Sequence, residues 1–472
     1  MKKKFLNFWL IATMLATATF ASCGDDNSDN TPSSNTNQTN NSDNNNSSNN
    51  NNDNSTNNNT ETDNKETDYT PSGNYTPLQS SAGTIPSSEI TLAEATYPAE
   101  VLKAMGMGWN LGNQFDAHDN GVSSETAWIK AKVTQETFNK VAAAGIKTVR
   151  IPITWMGHIG NAPDYKIEDA WLNRIAEVVE YSENAGLNAI INIHHDGSDS
   201  KYWLNIKNCA INATSQKNTI AQLTAMWTQI AEKFKDKEHF LIFELLNEIQ
   251  DGGWGWGANR NDGGKQYNAL NEWLQAMVTA IRATGGKNKD RWIGVPAYNT
   301  DIDLSEYLVL PDDPAHKLMV AIHYYAPYEY TLEYQYQQWG HTAASGKTTN
   351  YGQEKDCESQ MKKLYDRFTS KGIPVYIGEM GNVNRLDATN EKFRAYYFEY
   401  VCKVMHDNFI PAILWDNGVE KAGKECHGYF NHGTGNWMND YSQQMIATMV
   451  KAMTTEDAAY TLKSIYDKAP SK

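Results

Sequence analysis

Eight short apolar runs separated by helix-like stretches are the feature that most constrains the fold of this 472-residue chain. The intervening stretches, such as TQETFNKVAAAG and DAWLNRIAEVVEYSENAG, have apolar residues at helical spacing and end in glycine. Strand–helix alternation predicts a parallel sheet, and eight repeats favour a closed (β/α)8 TIM barrel over an open sheet. The runs are MGMGWNL (105–111), TVRIPIT (148–154), NAIINIHH (188–195), FLIFELLNE (240–248), RWIGVPA (291–297), LMVAIHYYAP (318–327), PVYIGEMG (374–381) and AILWDNG (412–418).

Polar side chains gather at the C-terminal end of nearly every run. In a barrel these ends form the rim at which enzymes of this architecture place their chemistry. A single strand-end arginine or histidine is often only a structural hydrogen-bonding group, but polar ends on almost every strand indicate a functional rim. The residues are Asn110, Asn113, Arg150, His194, His195, Asn247, Glu248, His323, Tyr325, Glu379, Trp415 and Asp416.

The N-terminus has the pattern of a secretory signal. Residues 1–22 combine a basic start, an apolar run too short to span a membrane, and small residues before Cys23. This ending resembles a bacterial lipoprotein signal, and the following CGDD resembles the acidic stretch of surface-exported lipoproteins in Bacteroidetes-type bacteria. We therefore expect an outer-membrane lipoprotein at the cell surface, attached to the membrane only through lipidated Cys23; the alternatives are a periplasmic or a secreted protein.

Residues 23–87 have the composition of a tether. The tract NNSDNNNSSNNNNDNSTNNNT contains no apolar side chain, so it cannot bury enough surface to offset the entropy of ordering. We expect a disordered Asn/Ser-rich linker there, followed by a single barrel domain over residues 88–472. The four cysteines of that domain permit disulfides in an exported chain, but their spacing fixes no pairing.

The charge and the cysteine spacing exclude several partners. A net charge of −15 argues against nucleic acid, whose phosphates would be repelled. The cysteines form no CxxC pair of the kind that binds zinc. We expect a monomer without a metal or another cofactor.

Two glutamates are the strongest catalytic candidates. Glu248 ends the fourth run and Glu379 lies in the seventh, so barrel closure places them on opposite sides of the mouth. Facing carboxylates suit glycoside hydrolysis, which needs a proton donor and a nucleophile or base. A separation of about 5 Å implies retention of the anomeric configuration, and about 6.5–9.5 Å implies inversion. Glu244 has the same strand parity as Glu248, and we expect it to be a structural buried acid.

Seven motifs in chain order resemble glycoside hydrolase family 5, the cellulase-type family. They are GWNLGNQFDA, VRIPITW, NIHHD, FELLNE, IHYYAP, IGEMG and ILWDNG. The resemblance implies that Glu248 is the acid/base and Glu379 the nucleophile of a retaining mechanism. One departure is Ile249, which follows Asn247-Glu248 where the family commonly has proline; it bears on loop geometry and not on the chemistry.

The resemblance also implies supporting roles around the nucleophile. Asn247 is expected to bond the sugar 2-hydroxyl. Arg150 and Tyr325 are expected to surround Glu379 and keep it ionised, because a nearby cation lowers a carboxylate pKa by roughly 1–3 units.

Further roles fall to rim residues on other strands. His194 is the expected family histidine, with His195 as the alternative, and His323 is expected to join the same network. Trp415 is expected to form the platform under the sugar at the cleavage point, and Asn113 is a further substrate-binding candidate.

Several tryptophans lie in polar loops where core packing does not explain them. Trp254 and Trp256 in DGGWGWGANRND, Trp203 after the third run, and Trp437 in GTGNWM are candidate platforms for pyranose rings. Trp109 at a strand end is either a core residue or a substrate contact.

The WDNG and GYFNHGTGNW segments resemble the endoglucanase and xyloglucanase branch of the family. The leading function is therefore a retaining endo-β-1,4-glucanase acting on cellulose, mixed-linkage glucan or xyloglucan. An endo-β-1,4-mannanase of the same fold is the alternative activity.

Two hypotheses come from other classes. His194, His195, Asp196 and His323 suggest a metal-dependent barrel hydrolase, but such barrels usually carry His-x-His on the first strand and this one does not. The anchor, tether and loop tryptophans also suit a non-catalytic surface glycan-binding lipoprotein, although such a protein has no physical need for the glutamate pair.

Overall fold

The computed structural model describes residues 69–71 and 81–471. Eight parallel strands form a closed barrel. They are β1 (Met107–Asn110), β2 (Thr148–Ile151), β3 (Asn188–Ile191), β4 (Leu241–Glu244), β5 (Ile293–Pro296), β6 (Leu318–Tyr324), β7 (Val375–Met380) and β8 (Ala412–Leu414). Around the barrel they follow the order β1-β8-β7-β6-β5-β4-β3-β2. Each strand lies inside one of the eight apolar runs, so the predicted (β/α)8 TIM barrel is confirmed.

Helices follow seven of the eight strands. The helices of eight or more residues are α1 (Pro98–Met105), α2 (Gln135–Ala143), α3 (Asp169–Asn184), α4 (Ala213–Phe234), α5 (Lys265–Ala283), α6 (Glu354–Arg367), α7 (Ala388–Asp407) and α8 (Ser442–Thr454). Shorter helices span Ile206–Cys209, Tyr328–Thr331 and Leu462–Tyr466. The connection from β5 to β6 has only the 3-10 turns Tyr298–Thr300 and Leu304–Tyr307. The loop after β1 contains an antiparallel hairpin, His118–Asp119 with Val122–Ser123.

Inward side chains fill the barrel, and α1 closes its lower end. Ile190, Ile242 and Met319 from three strands pack in one buried cluster with residues of α1. Gly294 of β5 leaves space in this interior, because a Cβ atom there would lie 2.3 Å from the Tyr376 hydroxyl. The phenol of Tyr376 can therefore cross the barrel towards its upper half, where the polar side chains lie.

The folded unit begins earlier than residue 88. Ala82 is fully buried, and its carbonyl accepts a hydrogen bond from the Ala99 amide at 2.9 Å. Farther upstream, the Tyr69 carbonyl accepts from the Tyr466 hydroxyl at 2.8 Å. The predicted boundary is thus too late, because a short anchoring segment has no periodicity to mark it. The predicted signal peptide (1–22), Cys23 and most of the predicted linker lie outside the described residues.

Two further properties of the described part concern its helices and its cysteines. Among residues 69–71 and 81–471, no helix has both the length and the apolar character needed to cross a bilayer. The cysteines in this part are Cys209, Cys357, Cys402 and Cys426; the first three are buried free thiols, and Cys426 is half-buried.

Candidate active site

Glu248 and Glu379 meet at the C-terminal mouth of the barrel. Glu379 lies near the end of β7, and Glu248 follows the end of β4. A carboxylate oxygen of each and a ring nitrogen of His323 all lie within 4.8 Å of one another. Closure of the sheet therefore brings together the two acids that the sequence singled out.

His323 connects the two carboxylates. Its Nδ1 is 2.6 Å from Glu248 Oε1 and 3.7 Å from Glu379 Oε2. The register of β6 against β7 pairs His323 directly with Glu379, so the backbone fixes this contact. The Glu248 side chain is 24% exposed and that of Glu379 only 8%. Glu248 is therefore the carboxyl group with better access to solvent protons.

The guanidinium of Arg150 organises the floor of the site. It is fully buried and donates from Nη1 to Glu379 Oε1 at 2.8 Å. Its Nε and Nη2 donate to the two oxygens of Glu244 at 2.9 and 2.7 Å. Nη2 also donates to Asn247 Oδ1 at 2.8 Å. One cation thus positions the nucleophile candidate and the amide beside Glu248.

Glu244 is the counterion of this arginine. Its oxygens also accept from Asn192 Nδ2 at 3.0 Å and from the Tyr376 hydroxyl at 2.7 Å. Burial tends to raise the pKa of Glu244, but the charge and hydrogen bonds of Arg150 outweigh it and the pKa is lowered. Glu244 therefore has the geometry of the structural buried acid expected from its strand parity.

The surroundings of Glu379 raise its pKa. Burial is the largest cause and the charge of Glu248 adds to it, while His323 and Arg150 oppose it. The pKa is therefore raised, and not lowered as a neighbouring cation alone would make it, because Arg150 is shared with Glu244 and the carboxyl is desolvated. That Arg150 and Tyr325 keep Glu379 ionised stays a prediction. Among the groups that favour its ionised form is the Tyr325 hydroxyl, which donates to Glu379 Oε2 at 3.1 Å.

His194 lies near Glu379 Oε1, whereas Tyr325 donates to Oε2. Its Nε2 is 3.9 Å from Glu379 Oε1, and its ring is parallel to that of Trp415 with 6.1 Å between centroids. Burial lowers the pKa of His194 well below its ordinary value, so the ring is neutral. His195 instead points towards Asp116, with Nε2 3.6 Å from Oδ2. Of the two histidines considered from the sequence, His194 is the one beside Glu379.

Trp415 packs against the loop after β1, beside Gly112, which precedes Asn113. Asn113 is half-buried with a left-handed backbone, φ 58°. A Cβ atom at the preceding Gly112 would lie 2.8 Å from the Trp415 ring, so glycine permits the indole to approach the loop closely. The Trp415 ring therefore lies next to the loop that carries Asn113; that Asn113 binds substrate stays a prediction.

Trp109 is a core residue and not a substrate contact. It is completely buried, and its indole nitrogen donates to Asp416 Oδ2 at 2.8 Å. Its ring packs edge-on against Phe430 and His432. Its inclusion among the substrate-binding candidates is therefore wrong, since the side chain has no accessible face.

Trp254 and Trp256 project from a braced loop after β4, with 56% and 66% of their surface exposed. The buried Asp251 carboxylate accepts from the backbone amides of Gly253 and Asn259, both at 3.0 Å. The Asp251 carboxylate therefore stabilises the loop, and the indoles of Trp254 and Trp256 are exposed at its surface.

Trp203 and Trp437 are less open. Trp203 is half-buried and donates to Asp196 Oδ1 at 2.7 Å. Trp437 is 36% exposed and packs on Phe430. Ile249, the departure from the family pattern, is buried and packs beside Gly197.

Glu425, on the loop after β8, was not among the site residues expected from the sequence. Desolvation raises its pKa to about 7; the charge of Lys424 opposes this, and those of Glu333, Glu248 and Glu379 add to it. Part of the residue is accessible to solvent, so its carboxyl group is only partly desolvated. No signal in the sequence marks it, because it lies in a polar loop far from any strand.

Two groups of side chains in the described part are close enough to ligate a metal ion. One contains Glu248, His323 and Glu379, and the other contains Asp116, His194 and His195. In the first group, His323 Nδ1 is hydrogen-bonded to Glu248 and lies 3.7 Å from Glu379. Neither group is needed as a metal centre for a two-carboxylate hydrolysis.

Comparison with known proteins agrees with this geometry. A family model described as cellulase (glycosyl hydrolase family 5) matches residues 112–421. Endoglucanase A of Paenibacillus barcinonensis is 36% identical over 371 residues, covering 75% of this chain and 89% of that protein.

Solved structures give the same result. A GH5-4 broad specificity endoglucanase from Bacteroides salanitronis is 52% identical with a TM-score of 0.75, covering 76% of this chain and 96% of that one. A family 5 xyloglucanase from Paenibacillus pabuli is 38% identical with a TM-score of 0.69, covering 75% of this chain and 100% of that one.

Proposed function

Because the chain belongs to glycosyl hydrolase family 5, we propose that it is a retaining endo-β-1,4-glucanase with Glu379 as nucleophile and Glu248 as acid/base. One observation carries this mechanism: at least one oxygen of Glu248 lies within 4.8 Å of an oxygen of Glu379. So close an approach suits a retaining pair, whose carboxyl groups are about 5–5.5 Å apart, better than an inverting pair, whose carboxyl groups are about 6.5–9.5 Å apart to admit a water molecule.

In the first step Glu379 attacks the anomeric carbon while Glu248 protonates the departing oxygen. The two residues approach from β7 and β4, so a sugar held between them meets one carboxyl on each side. The Oδ1 atom of Asn247 is held by Arg150, which leaves its amide NH2 group for the sugar 2-hydroxyl. That hydrogen bond strengthens in the transition state.

In the second step Glu248, now a carboxylate, takes a proton from water, and the water attacks the glycosyl–Glu379 ester. His323 Nδ1, at 2.6 Å from Glu248, holds this carboxyl in place through both steps. As the ester breaks, negative charge returns to Glu379, where Arg150 and Tyr325 already donate. These donors therefore support the departure of the nucleophile.

The substrate class is an unbranched or branched β-glucan: cellulose, mixed-linkage glucan or xyloglucan. Relatives described as endoglucanases and a xyloglucanase support this choice, as do the open indoles of Trp254 and Trp256. A net charge of −15 suits a neutral polymer. Mannan is the comparison substrate, because the same two-glutamate chemistry serves both.

The direct experiment is hydrolysis of a purified polysaccharide panel by the wild-type chain and the Glu379→Ala variant. We expect reducing-sugar release from β-glucans by the wild type, little from mannan, and none above background from the variant. Polysaccharide binding by the variant should be largely kept. Unchanged release from Glu379→Ala would remove this residue from the mechanism, and binding without hydrolysis by the wild type would favour a glycan-binding lipoprotein. For an endo enzyme, viscosity falls before reducing ends accumulate.

For the exported protein we propose a lipid anchor at Cys23, placement on the outer surface of the outer membrane, and a monomeric state. The support is the pattern of residues 1–23 and the acidic CGDD that follows. Labelling with a radioactive fatty acid should mark the wild type and not Cys23→Ala, which should leave the membrane fraction. Protease treatment of intact cells tests the outward placement, and light scattering of the purified chain tests the monomer.

A further inference from the structure

Tyr376 crosses the interior of the barrel to reach the floor of the active site. It is completely buried on β7, and its hydroxyl donates to Glu244 Oε2 on β4 at 2.7 Å. Strands β5 and β6 lie between β4 and β7 in the barrel, so the phenol spans the interior. Its path is open because β5 has Gly294 at this level: a Cβ atom there would lie 2.3 Å from the Tyr376 hydroxyl and 3.2 Å from Cζ.

The hydroxyl donates to a charged partner. Burial raises the pKa of Tyr376 well above its ordinary value, and the charge of Glu244 adds to this effect, so the phenol keeps its proton. Burial also tends to raise the pKa of Glu244, but Arg150 outweighs it and the pKa is lowered. The contact therefore joins a neutral donor to an ionised carboxylate, which is a strong type of hydrogen bond.

The guanidinium of Arg150 is shared between two carboxylates. Nη1 donates to Glu379 Oε1 at 2.8 Å and to Asn110 Oδ1 at 2.9 Å. Nε and Nη2 donate to Glu244, and Nη2 also donates to Asn247. These bonds use all five N–H groups of the side chain, so the position of the cation is fixed. The remaining variable is how its positive charge is divided between Glu244 and Glu379.

The Tyr376 hydroxyl acts on this division. A neutral donor takes up part of the negative charge of Glu244 and so weakens the pull of Glu244 on Arg150. The other neutral donor is Asn192 Nδ2, at 3.0 Å from Oε1, whereas Tyr376 is closer and shares Oε2 with Arg150 Nε. In a buried network of low dielectric, connected hydrogen bonds polarise one another. A change at Tyr376 therefore reaches Glu379 through the ion pair.

We propose that Tyr376 is a positioning residue whose hydroxyl leaves more of the positive charge of Arg150 to the nucleophile Glu379. It does so through Glu244. The inference rests on the proposed function and adds to it a residue that acts only through other side chains. Gly294 belongs to the same arrangement, because a side chain there would displace the phenol.

Other groups also act on the charge of Glu379, and the test leaves them unchanged. Those that face Glu379 are Arg150, His194, Glu248, His323, Tyr325 and Glu425. Those that face Glu244 are Arg150, Asn192, His323 and Tyr376. Tyr376→Phe removes one oxygen atom from these sets and no formal charge, so a shift can be assigned to the phenol.

The first test compares kcat/KM against pH for the wild-type chain and Tyr376→Phe on a soluble β-glucan. Attack requires ionised Glu379, so kcat/KM rises as pH rises through the pKa of this carboxyl. We expect the acid limb of Tyr376→Phe to move up by a few tenths to about one pH unit, with KM close to the wild-type value. Tyr396→Phe is the matched control, because this buried hydroxyl of α7 donates to the buried Glu354 of α6 at 3.0 Å. Its acid limb should stay in place.

A second variant should shift the acid limb in the opposite direction. Glu244→Gln removes the charge that competes with Glu379 for Arg150, so the acid limb of its remaining activity should move to lower pH. A role of Tyr376 in packing alone predicts no such reversal. If Glu244→Gln does not fold, the comparison of Tyr376→Phe with the wild type still decides the question.

Covalent labelling isolates the nucleophile. With dinitrophenyl 2-deoxy-2-fluoro-β-cellobioside, a Glu379 oxygen bonds to the anomeric carbon, and dinitrophenolate leaves with the bonding electrons without protonation. The pH dependence of the labelling rate should show the same upward shift in Tyr376→Phe. Profiles that coincide with the wild type, an equal shift in Tyr396→Phe, or shifts of the same sign in Tyr376→Phe and Glu244→Gln would overturn the proposal. A wild-type chain that is labelled at no pH would instead contradict the proposed function.

Discussion

Arg150 and Glu244 form a fully buried bidentate ion pair, with Nε–Oε2 and Nη2–Oε1 distances of 2.9 and 2.7 Å. The remaining nitrogen, Nη1, is 2.8 Å from the nucleophile candidate Glu379. Glu244 therefore touches no substrate but fixes the cation that positions Glu379.

Replacing Glu244 by glutamine should lower both stability and activity. The change leaves Arg150 buried with only part of its compensating charge, and breaking a buried pair in this way costs about 3–5 kcal/mol. Denaturant unfolding measures the loss, and kcat on β-glucan should fall because Arg150 is no longer held. Glu177→Gln, which breaks an exposed pair with Arg174, is the matched control and should change stability by less than about 1 kcal/mol. Equal stability of the two variants would contradict the role assigned to Glu244.

Tyr325→Phe should shift the acid limb of the pH profile to higher pH. Activity requires ionised Glu379, so kcat/KM rises as pH rises through the pKa of this carboxyl, which burial has already raised above 4.5. Removing the hydroxyl takes away a donor to the ionised form, and we expect a further upward shift of a few tenths to about one pH unit.

The measurement is kcat/KM against pH on a soluble β-glucan. Tyr324→Phe is the control, since this buried neighbour in sequence points to the other face of the strand. An acid limb that stays in place in Tyr325→Phe would show that the hydroxyl does not act on the ionised nucleophile.

Glu248→Gln should affect substrates according to their leaving groups. A natural glucan needs its departing oxygen protonated, and loss of a general acid typically costs 10²- to 10⁴-fold. Dinitrophenolate leaves a dinitrophenyl β-cellobioside without protonation. The rate of the first step with this substrate should therefore fall much less. Burst and steady-state kinetics on both substrates separate the steps. A uniform loss on both would count against Glu248 as proton donor.

The sequence predicts the strands of the barrel and the catalytic pair, and it does so for a physical reason. Strands buried on both faces read as continuous apolar runs, and their polar ends stand out against that background. Glu248 and Glu379 were visible because each closes or interrupts such a run. The positions of Arg150, His194 and Tyr325 followed from the same pattern.

The features that the sequence did not reveal depend on contacts and charges between residues that are distant along the chain. The pKa direction of Glu379 is decided by burial against the shared charge of Arg150, and no local pattern encodes that competition. Trp109 is at a strand end but faces Asp416 inside the core. Glu425 interacts with the charges of Glu248 and Glu379 from a loop, where the local sequence is polar.

Trp256→Ala should weaken polysaccharide binding without touching the chemistry. Its indole is 66% exposed and supported by Arg260, whose guanidinium carbon lies 4.5 Å from the ring centroid. We expect KM on soluble β-glucan to rise several-fold with kcat nearly unchanged, and no change on an aryl cellobioside. Val309→Ala removes an equally exposed apolar side chain away from the catalytic rim and should have no effect. A fall in kcat on the small substrate would place Trp256 in the catalytic machinery instead.

The stereochemistry of hydrolysis tests the central claim most directly. At least one oxygen of Glu248 lies within 4.8 Å of an oxygen of Glu379, an approach that favours a retaining pair over an inverting one, in which a water molecule stands between the carboxyl groups. Proton NMR of a cello-oligosaccharide digest, recorded before mutarotation, distinguishes the anomers. We predict that the β anomer of the new reducing end appears first; initial appearance of the α anomer would contradict the double-displacement mechanism.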